Sequence, residues 1–348
     1  LLLWYNFLNL GGFMNLFSPL KIKNFSLKNR IVVPPMVRFS LIDNSGYVNE
    51  KLIEYYDKLA KDGNGMIIAE ATCVCPNGKL RDNQLGIWDD SFIEGLSSIA
   101  AIGKKYNCPF LLQIHHRGFI DSLNEIPTST LDSILDKFIV AFSRAKKAGF
   151  DGIEIHGAHR YLISQLNSKI LNQRTDKYGG ASHLERLYFS LQLIRNTKEL
   201  FDKNFLLSYR LGGNEPDLED GIELAKILEK EGVDILHVSH GYPHQDIRAL
   251  EKIDKPKEFP LSWITYMSKV IKEHVNIPVI AVNLIKTEEQ ASYVVENNVA
   301  DLVAIGRAQL PIKSNWIKEA RKSFDKRNNI SDEEWLSKVH LSCVCEDS

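Results

Sequence analysis

The sequence predicts an α/β chain folded as a single (β/α)8 barrel, and three observations predict it. Eight short, nearly continuous apolar runs recur along the chain, as expected of parallel strands covered on both faces. Helical patterns separate them. The phrases AGFDGIEI, EGVDILHV and NNVADLVAI repeat one grammar of helix end, tight turn and buried strand. An open doubly wound sheet is the alternative, but no G-x-G-x-x-G follows the first run, and the eight-fold count favours closure.

In order, the strand runs are Ile31-Val32-Val33, Met66-Ile67-Ile68-Ala69, Phe110-Leu111-Leu112-Gln113-Ile114 and Gly152-Ile153-Glu154-Ile155. Phe205-Leu206-Leu207-Ser208-Tyr209, Asp234-Ile235-Leu236-His237-Val238, Pro278-Val279-Ile280-Ala281-Val282 and Asp301-Leu302-Val303-Ala304-Ile305 complete the set. Between them, residues 134–148 carry apolar side chains at helical spacing and stop at Gly149, a good C-cap. Residues 221–231 behave alike and stop at Gly232, and residues 287–298 open on Thr287 followed by two acids.

Composition narrows the function. Lys and Arg number 43 against 44 Asp and Glu, a net charge of −1, so no overall field exists to attract nucleic acid or an anionic membrane. No apolar run reaches the length of a membrane span. A hydrophobic content of 44% excludes intrinsic disorder. Five cysteines are too few, and odd in number, for a disulfide framework. A cytoplasmic chain with a small-molecule substrate is expected, with homo-oligomerisation left open. The organisation expected is a leader over residues 1–13, a barrel over 14–325 and a tail over 326–348. Leu10-Gly11-Gly12-Phe13 before Met14 reads like a translated ribosome-binding site, so Met14 is the expected natural start and the leader an artefact.

In such a barrel the chemistry sits at the C-terminal ends of the strands. After the fourth run stand His156, His159 and Tyr161, which converge if the segment turns into a helix at the mouth. Imidazole N–H groups polarise a carbonyl oxygen and a phenol delivers a proton. His115, His116, His237 and His240 are the available extra ligands for a metal, but the expectation is no metal. Arg210 ends the fifth strand and suits negative charge on a ring or carboxylate. Gln113 ends the third and offers both donor and acceptor. Asn283, and Gly306 with Arg307, end the seventh and eighth, where barrels often bind phosphate. Cys73-Val-Cys75 and Cys343-Val-Cys345 are poor matches to metal-ligand spacing, so ordinary thiols are expected.

The stretch EIHGAHRYLISQLNSKILNQRTDKYGG, with H-x-x-H-x-Y before N-x-R-T-D-x-Y-G-G, resembles the signature of the Old Yellow Enzyme family of flavin-dependent ene-reductases. LFSPLKIKNFSLKNRIVVPPM, GIWDD, LLQIHHRG, AGFDGIEIHGAH and ADLVAIGR keep the order of that family's single-domain members. The resemblance implies FMN across the barrel mouth, with NADH or NADPH as reductant; no motif for a ribose 2′-phosphate can be read, so both stay open. It implies Pro34, Pro35, Met36 and Val37 behind the ring with Ala71 beside it, Gln113 on the pyrimidine and Arg210 at its N1/O2 edge. Asn283, Gly306 and Arg307 would hold the phosphate. His156 and His159 would bind the carbonyl oxygen of an α,β-unsaturated substrate, with hydride passing from the flavin to Cβ and a proton from Tyr161 to Cα.

Departures from the family pattern qualify this. Val37 replaces the usual Cys or Thr, Phe39 stands where some members have a substrate-contacting Tyr, and Arg160 replaces a small residue, so Phe39 and Arg160 join the expected substrate contacts. Asn283 stands where Gly is common, the segment 117–132 is short for the family, and the C-terminus lacks the cysteine pattern of relatives with an iron–sulfur cluster. Two other outcomes are a flavin barrel acting on an amine or another acceptor, and a degenerate FMN-binding barrel without turnover.

Overall fold

The structure is a computed structural model that describes residues 14–119, 122–215, 217–241, 253–310 and 315–327. The expected leader, and the tail from residue 328, lie outside the described residues, Cys343 and Cys345 among them. Eight parallel strands close into a barrel: β3 (Ile31–Val33), β4 (Met66–Cys73), β5 (Phe110–His115), β6 (Gly152–Gly157), β7 (Leu206–Gly212), β8 (Ile235–Ser239), β9 (Val279–Ala281) and β10 (Leu302–Ala304). Each pairs with its sequence neighbour, and β10 returns to pair with β3. Every predicted run is a barrel strand.

Several strands run further toward the mouth than their apolar runs do. β4 continues through Glu70 to Cys73, β6 through His156, and β7 through Arg210 to Gly212, all of them buried. Polar side chains end the hydrophobic signal while the backbone ladder continues, so the part of each strand that carries chemistry is the part periodicity misses.

A hairpin absent from the sequence reading precedes the barrel: β1 (Leu20–Ile22) and β2 (Phe25–Leu27), antiparallel and joined through Lys23 in the left-handed region. Its Ile22 and Leu27 are buried with Val32, Met66, Ile68, Leu111, Leu206, Ile235, Ile280 and Leu302, so it plugs the N-terminal end of the barrel. Lys23 pins it from outside, 2.7 Å from Asp234. The alternation in Leu20-Lys21-Ile22 and Phe25-Ser26-Leu27 was the available signal.

The helices sit where expected, with shifted ends. One spans Thr128–Lys147, starting well before residue 134 because Leu131 already belongs to the buried stripe. It stops before Gly149, whose φ is +89°. Leu218–Lys230 is capped by the Asp217 carboxylate, and Glu288–Glu296 by a reciprocal Thr287–Gln290 capping box. Among the described residues no helix is long and apolar enough to cross a membrane.

Candidate active site

Side chains alternate in and out of a barrel strand, so residues two apart on one strand form successive layers inside it. On β6 these are Glu154 and, nearer the mouth, His156. Glu154 is fully buried and accepts three hydrogen bonds, from Gln113 Nε2 (2.8 Å), Ser208 Oγ (3.0 Å) and His237 Nδ1 (2.9 Å). Burial opposes its ionisation, but His237, Arg210 and Ser208 outweigh that and hold its pKa below the ordinary value. All three contacts are donors, which only the carboxylate can fully satisfy. Burial keeps His237 neutral, with Arg210 adding to the downward shift against the pull of Glu154.

In the next layer Arg210 lies between His156 and His237 in register. It is 7% exposed, its Nη2 makes a long 3.4 Å contact to Ser239 Oγ, and its Nε has no partner. Burial lowers its pKa, with Glu154 and Tyr161 acting the other way. A guanidinium held out of water with an idle N–H is a binding site for negative charge.

Three imidazoles form a chain beside it. His115 and His156 meet Nδ1 to Nδ1 at 3.0 Å, His156 Nε2 meets His159 Nδ1 at 3.0 Å, and His159 Nε2 meets Ser239 Oγ at 2.7 Å. Burial first, then neighbouring imidazoles and the Arg210 cation, depresses the pKa values of His156 and His159 far below the usual histidine range; burial takes His115 to about 3. Each ring is therefore neutral and carries one N–H. The chain runs in one direction throughout, either from the Ser239 hydroxyl toward His115 or from His115 toward Ser239, and in both cases His115 Nε2 is buried and without a partner. In this arrangement the ring nitrogens of His156 and His159 are occupied, and a substrate oxygen takes their N–H groups only by replacing a ring–ring link.

Tyr161 faces this chain, its ring centroid 4.5 Å from that of His115, 4.8 Å from His156 and 6.3 Å from His159. The three predicted residues do converge, by a different route from the helix expected. His156 is still on the strand, and His159 and Arg160 both take left-handed backbone, φ +62° and +63°; a helix starts only at Leu162. Such conformations cost on the order of 1–3 kcal/mol each in non-glycine residues. Four contacts hold them: His159 N–H to the His240 carbonyl (3.2 Å), Arg160 N–H to Ser164 Oγ (3.2 Å), Gln165 Nε2 to the Arg160 carbonyl (2.7 Å) and Leu162 N–H to the His116 carbonyl (3.1 Å).

The other expected residues ring the same opening. Pro34 is buried and Pro35, Met36 and Val37 half-buried directly after β3. A side chain on Gly306 would press on Met36 Sδ and Pro34 Cγ at 3.2 and 3.3 Å, so the ends of β3 and β10 meet through that glycine. Ala71 is buried beside a register shift in β4, and its carbonyl accepts from Gln84 Nε2 at 2.7 Å. Asn283, half-buried after β9, takes φ +96°. Arg307 is exposed. Phe39 lies in a short helical turn under the Arg81 guanidinium, 4.8 Å away, and has no ring contact with the imidazole chain. Sequence reasoning gave no role to Glu154, Ser239 or Gln309, and it weighed His115 and His237 only as metal ligands, whereas they hydrogen-bond to His156 and Glu154. Among the described residues the one grouping spaced to share a cation is His183, Asp220 and Glu223 on the outer helices, where Lys169 already sits 2.7 Å from Asp220.

The mouth fits the implied flavin on its own evidence. Arg210 Nε, His115 Nε2, His237 Nε2 and both amide atoms of Gln309, two residues beyond Arg307, are buried without a hydrogen-bond partner. Unmet polar groups of this kind are rare in folded proteins unless something binds them. A large polar ring with a phosphate supplies the complementary groups.

A profile of the NADH:flavin oxidoreductase / NADH oxidase family matches residues 15–133 and 121–326. The chain belongs to that family. It is 37% identical to an NADH oxidase of Thermoanaerobacter brockii over 89% of its own length and 51% of the relative's, so it spans about half of that protein. It is 34% identical to an NADPH dehydrogenase of Clostridium acetobutylicum over 85% of its length and 92% of the relative's. Similar solved structures include a 2-naphthoyl-CoA reductase (TM-score 0.77, 22% identity, 89% of this chain and 52% of that one) and morphinone reductase (0.73, 22%, 90% of each). A third is the old yellow enzyme homologue from Zymomonas mobilis (0.71, 22%, 92% of this chain and 96% of that one). That family is one of FMN-dependent oxidoreductases that take electrons from a reduced nicotinamide.

Proposed function

We propose that the barrel mouth reduces C=C bonds conjugated to a carbonyl group. The observation that carries the reading is Tyr161, a phenol set against three neutral imidazoles at the strand ends. When bound, FMN supplies the hydride. Pro34, Pro35, Met36, Val37 and Ala71 would hold its ring, Gln113 and Arg210 its polar edge, and Asn283, Gly306 and Arg307 its phosphate. Arg210, a buried cation with an unmet Nε, would favour negative charge at that edge.

The substrate's work falls to the chain's own residues. An imidazole N–H from His156 or His159 binds the carbonyl oxygen and stabilises the enolate-like charge that grows there. One well-placed donor of this kind contributes about 3–4 kcal/mol. Burial raises the phenol pKa of Tyr161, against the opposing pull of Arg210, so the proton stays on oxygen until the substrate carbanion takes it. Half-buried Phe39 and Arg160 are the proposed side walls. A small-molecule substrate and a cytoplasmic setting go with this reading.

The test is anaerobic. NADH or NADPH should bleach the yellow protein, and 2-cyclohexenone should recolour it. Tyr161→Phe should slow recolouring at least a hundredfold, within the range of general-acid contributions, and leave bleaching unchanged. Equal slowing of both halves refutes the proton-donor role, and bleaching without recolouring by any enone, nitroalkene or quinone refutes the substrate class.

A further inference from the structure

A second constellation lies on the outer helices and shares no residue with the mouth. Ser182 caps the short helix His183–Arg186 through a reciprocal capping box with Glu185, which sets His183 at its first position. Asp217 caps the helix Leu218–Lys230, on which Asp220 and Glu223, three residues apart, share one face. His183, Asp220 and Glu223 meet there, one ligand atom of each lying within 4.8 Å of the others. The mechanism above uses none of them.

The spacing around the imidazole is the informative observation. His183 Nδ1 stands 3.4 Å from Glu223 Oε2 and 3.6 Å from Asp220 Oδ1. Its side chain is 3% exposed, and neither ring nitrogen makes a hydrogen bond. A ring N–H facing two carboxylates would close on one of them at about 2.7–2.9 Å. The groups instead stand apart by close to the edge of a tetrahedron built on metal–ligand bonds of about 2.0–2.1 Å, an edge of roughly 3.3–3.4 Å. Burial lowers the pKa of His183 against the pull of Glu223 and Asp220, which leaves the neutral ring that coordination needs. Lys169 does not take the position, because its Nζ lies 2.7 Å from the other Asp220 oxygen, Oδ2, and 3.4 Å from Asp217. Arg186, the other cation nearby, gives its guanidinium to the carbonyls of Asn167, Gly180 and Ala181. Glu223 is exposed, so water has access to complete a coordination shell.

We propose that His183 Nδ1, Asp220 Oδ1 and Glu223 Oε2 bind one zinc ion, with water as the fourth ligand. One imidazole with two carboxylates suits a borderline divalent ion of this kind, whereas Mg²⁺ and Ca²⁺ prefer shells made of oxygen alone. The ion joins the segment that follows β6, to which His183 belongs, to the helix that follows β7. Only the folded chain brings residue 183 against residues 220 and 223, so the ion acts as a brace whose binding adds to stability. The proposal is independent of what the barrel mouth reduces.

The experiment is calorimetric titration of the full-length flavin-loaded chain with ZnCl₂ after EDTA has stripped bound metal, with thermal unfolding followed on the same samples. One Zn²⁺ per chain should bind at this site, and the unfolding midpoint should climb with zinc concentration. Glu223→Gln and His183→Gln should each weaken that binding by more than the roughly 10- to 100-fold that loss of a ligand's outer partner costs, and both should remove the zinc-dependent rise in midpoint. Mg²⁺ at the same concentration should not compete. Zinc uptake that survives both substitutions overturns the proposal, since the ion then sits elsewhere on the chain. No uptake by the parent chain overturns it as well, and equal competition by Mg²⁺ removes the imidazole from the shell. Glu223 faces solvent, so its variant decides the matter even where His183→Gln fails to fold.

Discussion

The two ends of this barrel are closed by opposite means. At the N-terminal end the β1–β2 hairpin seals the strands with aliphatic side chains, Ile22 and Leu27 on Val32, Ile68, Leu111 and Ile280, and nothing polar is stranded among them. At the C-terminal end the same strands carry Glu70, Gln113, His115, Glu154, His156, Arg210 and His237, all buried, and several have a polar atom that no protein group meets. Burying an unmet polar group costs about 1–3 kcal/mol. The first end stabilises the fold; the second spends stability on a surface that becomes complementary only when something binds.

If that contrast holds, damage at the two ends should separate. Leu27→Ala removes a fully buried side chain from the plug and should cost about 2–5 kcal/mol of unfolding free energy, with FMN affinity per folded molecule unchanged. Denaturant unfolding and flavin titration measure the two quantities on one sample. A parallel loss of flavin affinity would mean that the plug also shapes the mouth.

Arg210→Met is the converse. It keeps the apolar stem and removes the buried cation, whose idle Nε makes it a ligand group more than a structural one. FMN binding should weaken by about 1.5–3 kcal/mol, the worth of a hydrogen bond to a charged group, or roughly 10- to 150-fold. The apo chain's unfolding midpoint should move less than with Leu27→Ala. Unchanged flavin affinity would place the ring away from Arg210.

The same asymmetry decided what could be read from the sequence. The barrel was legible because its strands are apolar on both faces, and every run such as Phe110–Ile114 became a strand. The hairpin was not, since its strands bury one face only, and Leu20-Lys21-Ile22 and Phe25-Ser26-Leu27 interrupt the apolar run that marks a barrel strand. At the mouth, His156, His159 and Tyr161 were found through their spacing and their likeness to a known signature. Their tie to His115 and Ser239 was hidden, because those partners are 41 and 80 residues away in the chain and meet only when the barrel closes. The route of convergence was hidden too: His159 and Arg160 in left-handed backbone are not a conformation their residue types announce.

The smallest expected effect tests the contrast at one buried carboxyl. Glu70 sits at the register shift in β4, where Oε2 accepts from the Arg38 backbone N–H at 3.1 Å and Oε1 has no partner. Burial pushes its pKa up to about 8, against the pull of the Arg38 contacts. In the unfolded chain a glutamate titrates near 4.3, so between those values the folded chain holds more of the proton, and its stability falls as pH rises across the interval. Glu70→Gln keeps the shape and removes the titration. The variant should match the parent at pH 5 and be the more stable at pH 9, the gap widening as pH rises toward about 8. Thermal unfolding of both proteins across that range gives the difference directly. A difference that does not change with pH would show that Glu70 stays ionised in the fold and that the mouth is less dry than its unmet groups imply.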